Sequence, residues 1–140
     1  MAAKDYYHEP FVRALQKNGW TITHDPLTLP FQDTHLLVDI GAEQTIAAER
    51  GTERIAVEIK SFIKLSPIQD LKEALGQYII YADIMAESPD HSDRTLFLAV
   101  REEAYNDVFD DPQTLRILHR RNIRLVIFNP IKEEILQWIN

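Results

Sequence analysis

The chain has 140 residues, 45% hydrophobic and 26% charged, with no cysteine and a formal net charge of −7. That is the length of one globular domain, able to bury roughly two-thirds of its unfolded surface, and the composition excludes a disordered chain. The lack of cysteine excludes a disulfide framework, a thiolate zinc site and a cysteine nucleophile, and the acidic balance argues against unaided gripping of DNA through a basic face.

The elements follow from periodicity and punctuation. Asp5 to Asn18 reads as a helix, with Phe11, Ala14, Leu15 and Asn18 on one face, Pro10 tolerated in its first turn, and Gly19 as the residue that ends it. Trp20–Thr23 is a short strand candidate. Pro26 and Pro30 then break the chain, and the apolar stretch from His35 to Ile40 can be extended. Thr45–Glu49 and Arg54–Phe62 read as two strands of a hairpin around Arg50-Gly-Thr-Glu53.

Ser66-Pro-Ile-Gln69 opens the clearest helix, with Ser66 as N-cap, Pro67 at the first helical position and Gln69 placed to complete a capping box. Leu71, Ala74, Leu75, Tyr78 and Ala82 form its apolar face, which runs to about Met85. Thr95–Val100 is a continuous apolar run, as in a strand covered on both faces. Pro112–Arg121 is a helix capped by Asp111, and Arg124–Phe128 another buried strand. After the Asn129-Pro130 turn, Glu134–Ile139 reads as a strand whose edge could pair two copies into a homodimer. The expected architecture is α/β, with three layers: a mixed central sheet carrying helices on both faces, in a single domain over residues 1–140.

The chemistry concentrates in Ile55-Ala-Val-Glu58-Ile-Lys60-Ser-Phe. The two-residue period of a strand puts Glu58 and Lys60 on one face, while Val57 and Ile59 face the other way. Charges in so apolar a strand are costly unless paired or bound to metal; an ordinary Glu–Lys pair at a sheet edge is the plain alternative. Asp39 is a second acid in an apolar run, Glu9 lies in the first helix, and Gln77 and Tyr81 share a face of the helix that follows the Glu–Lys strand. His8, His24, His35, His91 and His119 match no structural zinc spacing, and Gly-x-Ser-x-Gly is absent.

In order and spacing these residues resemble the PD-(D/E)xK nuclease superfamily, with Glu9 as the helix acid, Asp39 as the first-strand acid, Glu58 and Lys60 as Glu-x-Lys, and Gln77 with Tyr81 as Gln-x-x-x-Tyr. Val38 stands where the pattern has proline, and Asp39 lies nineteen residues before Glu58, so Glu43 and Glu49 remain alternatives for the first acid. The resemblance implies a restriction-endonuclease-like fold and Mg²⁺ or Mn²⁺ held by Asp39 and Glu58, with Glu9 assisting. Lys60 would then stabilise the transition state, and Gln77 and Tyr81 would support the site or contact DNA. Stretches including His8-Glu9, Asn18-Gly-Trp-Thr-Ile-Thr-His-Asp-Pro26, Asp39-Ile-Gly-Ala-Glu43, Ala56-Val-Glu-Ile-Lys-Ser-Phe62, Gly76-Gln-Tyr78 and Gln137-Trp-Ile139 narrow it further, to the XisH family. Those proteins are fdxN element excision controlling factors of filamentous cyanobacteria. The likeness implies a role in programmed DNA excision during heterocyst differentiation, with DNA, an XisI-type partner and a site-specific recombinase, either by cleavage or as a non-cleaving accessory. No apolar run nears the ~20 residues of a membrane span and no apolar signal region follows Met1, so a cytoplasmic location is expected.

Overall fold

The structure, a computed structural model, describes residues 7–29, 45–63 and 66–140. Six strands form one mixed sheet in the order β1-β2-β3-β4-β5-β6. Helix α1 (His8–Lys17) starts after Tyr7, so Pro10 falls in the first turn, where its missing N–H leaves no helical bond unmade. Phe11, Ala14 and Leu15 are buried as their spacing predicts; Asn18 is instead the exposed C-cap, its N–H bonded to the Ala14 and Leu15 carbonyls. Gly19 follows at φ +86°, the left-handed conformation that ends the helix and turns the chain into β1 (Thr21–His24).

Strands β2 (Thr45–Arg50) and β3 (Glu53–Ile59) form the expected hairpin, paired from Thr45 opposite Glu58 to Arg50 opposite Glu53. β3 stops earlier than the apolar run suggests. Lys60 still donates its N–H to the Ala99 carbonyl at 3.1 Å, but Phe62 turns to φ +55° and the chain leaves the sheet. The stretch from His35 to Ile40 lies outside the described residues.

Helix α2 (Pro67–Ala86) carries the chain from β3 to β4 (Thr95–Arg101), its parallel neighbour. The Ser66 hydroxyl accepts from Gln69 N–H at 3.3 Å, while the Gln69 amide nitrogen reaches on to Glu73. Tyr78 fastens α2 to the sheet: its hydroxyl donates to the Leu96 carbonyl at 2.7 Å and accepts from Arg124 N–H at 3.2 Å. Between β4 and the next helix, where no sequence signal marks an element, the chain coils as α3 (Glu102–Ala104) and a π turn (Tyr105–Phe109). Ala104 and Phe109 bury there, five apart, a spacing that fits a π turn better than an α-helix. Helix α4 (Pro112–Arg120), capped by Asp111, leads to β5 (Leu125–Asn129), parallel to β4; the tail forms β6 (Glu134–Ile139), antiparallel to β5.

The crossovers β3–α2–β4 and β4–α3–α4–β5 advance the same way along the sheet, so right-handed connections put α2, α3 and α4 on one face. There Ala56, Leu98, Val100 and Ile127 pack with Tyr78, Tyr81, Phe109 and Leu118. On the other face α1 covers Val57, Ile59, Ala99 and Phe128 with Phe11 and Leu15. These are the three layers expected.

Candidate functional site

Glu58 is the one buried acid in the described strands, and alternation decides where it points. Val57 and Ile59 belong to the α1-side core and Ala56 to the α2-side core, so Glu58 faces α2. It is 2% exposed, and its Oε2 is buried without a hydrogen-bond partner. A carboxylate shut away from water resists ionisation: burial pushes this one up to about 8, the Lys60 ammonium partly opposing the rise.

Lys60 comes out on the same side. Its Nζ lies 3.6 Å from Glu73 Oε2 of α2, so its ion pair runs across to the helix, and an ordinary pair within the strand does not describe it. Glu73 escaped the sequence reading, although it stands one helical turn before Gln77 on the same stripe as Tyr81, and that spacing could have found it. Tyr81 is fully buried and donates its hydroxyl to the Leu27 carbonyl at 2.9 Å. Burial raises its pKa, and the nearby Glu58 charge raises it further. Full burial leaves Tyr81 no surface with which to meet a ligand from solution. Half-buried Gln77 lies between Glu73 and Tyr81 in the stripe.

The structure does not bring every expected residue to this point. Glu9 is exposed on α1, in the layer across the sheet from Glu58, although both lie at the end where β1 and β3 finish. Glu49 faces α2 as Glu58 does, but it lies four residues further along β2, about 13 Å away at strand rise. There it binds Arg54 and Arg94, each at 3.3 Å. The buried Arg94 also donates to the Ile55 carbonyl at 3.1 Å, which makes this cluster a clasp on the hairpin. Glu49 is therefore withdrawn as first-strand acid. Asp39 and Glu43 lie outside the described residues.

The orphaned Glu58 oxygen fits a hard cation, whose oxygen ligands are carboxylates, carbonyls and water. Among the described residues no three His, Asp or Glu side chains are grouped to hold a metal ion. Zinc gains nothing from the structure: His8 is buried against Asp25 at 2.8 Å, and His24 and His91 meet edge to face at 5.2 Å. No described helix is long and apolar enough to cross a membrane.

No curated protein matches the chain. Two solved structures do. An XisH family protein from Nostoc punctiforme superposes with a TM-score of 0.85 at 36% identity, over 97% of this chain and 100% of that one. A fdxN element excision controlling factor protein from Anabaena variabilis superposes with a TM-score of 0.82, also at 36% identity, over 96% of this chain and 98% of that one. The family model described as XisH protein matches residues 1–136, and with nearly the whole chain accounted for, this protein belongs to the XisH family.

Proposed function

We propose that this chain is a DNA excision controlling factor, as its Anabaena variabilis relative is named, and that it acts through a metal-dependent phosphodiester site centred on Glu58 and Lys60. The observation that carries this reading is the Glu58 carboxyl, buried on the α2 side with an unpartnered oxygen and with Lys60 issuing beside it. Evolution rarely leaves such a group in a core strand without a use, because an unmet buried acceptor costs on the order of 1–3 kcal/mol. Asp39 and Glu58 would hold Mg²⁺ or Mn²⁺. Such an ion supplies Lewis acidity, polarising a phosphoryl oxygen and acidifying water. Lys60, held to Glu73 only at 3.6 Å, would give its charge to the phosphate as negative charge grows there. Gln77 would orient the groups beneath it, and Tyr81 would keep α2 seated over the acid.

The test is cleavage of duplex, branched and single-stranded DNA with Mg²⁺ or Mn²⁺. Activity should fall by about 100-fold or more in both Glu58→Gln and Lys60→Ala. A wild-type protein that cleaves none of these with either metal overturns the enzymatic reading.

The net charge of −7 favours a second reading, in which the protein assists a site-specific recombinase alongside an XisI-type partner and cleaves nothing. Capture of those partners would then be independent of metal and unchanged in Glu58→Gln.

A further inference from the structure

The outermost line of α2 runs through Lys72, Gly76, Ile79 and Asp83, at steps of four, three and four residues, diametrically away from the buried Ala74, Tyr78 and Tyr81. All four are exposed, with Ile79 at 43% and the neighbouring Ile80 at 44%. Gly76 is the odd member. It sits mid-helix in a 20-residue helix, where glycine is the poorest choice after proline, and a Cβ built there meets nothing within 4 Å. Nothing among the described residues of the protomer explains it. A bare patch of backbone beside exposed isoleucines is what a closely approaching helix needs.

We infer that α2 packs antiparallel on α2 of a second copy of this chain, about a two-fold axis level with the Gln77–Tyr78 bond. An axis at that level seats the partner's Ile79 on Gly76 and faces Lys72 with the partner's Asp83, twice over by symmetry. Lys72 and Asp83 form no ion pair with any described residue of their own chain. Ile80 of each copy flanks the axis. The line is thus self-complementary in both shape and charge. The edge of β6 is a poorer template for pairing, because the register with β5 skips Leu136 and the resulting bulge interrupts the row of free backbone groups. Glu73 and Gln77 lie on the half-buried flank of α2, between this line and the buried stripe.

The test is sedimentation of the full chain across a concentration series. Wild type should dimerise reversibly. Lys72→Asp and Asp83→Lys should each weaken the dimer by tenfold or more, as like charges then face each other in both pairs. Gly76→Leu should do the same by filling the seat of Ile79. Mixing the Lys72→Asp and Asp83→Lys proteins should restore a heterodimer, since each then supplies the charge the other lacks; a folding defect in either could not produce that rescue. A wild type that stays monomeric throughout, a dimer indifferent to these changes, or a mixture that restores nothing overturns the inference.

Discussion

Glu58 is where burial and charge conflict most sharply. In the metal-free protein its carboxyl titrates near 8 instead of the ordinary 4.5, because the α2-side core withholds water from the anion. The folded state therefore binds the proton more tightly than the unfolded one. Between those two pH values the folded protein carries the extra proton, so stability falls as pH rises, by up to about 1.4 kcal/mol per pH unit. The contribution is fully present below about 4.5 and lost once the pH passes the folded value near 8. Glu58→Gln keeps the shape and removes the titration. Urea unfolding in chelator at pH 5, 6.5 and 8 should show the wild type losing stability relative to this variant at each step. Parallel pH profiles would mean that the carboxyl is not held neutral by burial.

At the scale of elements, α2 is both roof and clamp. Tyr78 ties it to β4 and β5, and Tyr81 ties it to the Leu27 carbonyl in the segment after β1. Tyr81→Phe strands that carbonyl and should cost about 1–3 kcal/mol in urea unfolding while leaving metal affinity within a few-fold. A loss of metal binding without loss of stability would instead make the hydroxyl a part of the reactive group. Much of this was legible beforehand. The Ser66-Pro67 and Asp111-Pro112 starts, Gly19 as a stop and the two-residue period of β3 act locally, so they can be read from sequence, and they set the helices, the strands and the shared side of Glu58 and Lys60. What could not be read depended on distant partners. Asn18 spaces like a core residue but lies past the last turn; Glu49 looks like a site acid until Arg54 and Arg94 claim it; Glu73 gains its meaning only when α2 folds over β3.

On the scale of the whole molecule, the sheet separates two ends with different uses. The hairpin end is closed by Arg94, Arg54 and Glu49, while β3 ends at Glu58 and Lys60 beneath α2. A chain with a net charge of −7 gains little from long-range attraction to phosphate, so any hold on DNA would have to come from a local cation or a partner. The central claim is that Glu58 is a metal ligand, and calorimetric titration of the chelator-treated protein with Mn²⁺ at pH 7.5 tests it most directly. The account predicts saturable binding that Glu58→Gln and Asp39→Ala each abolish and Lys60→Ala preserves. Binding that survives Glu58→Gln unchanged, or no binding by the wild type, would contradict it.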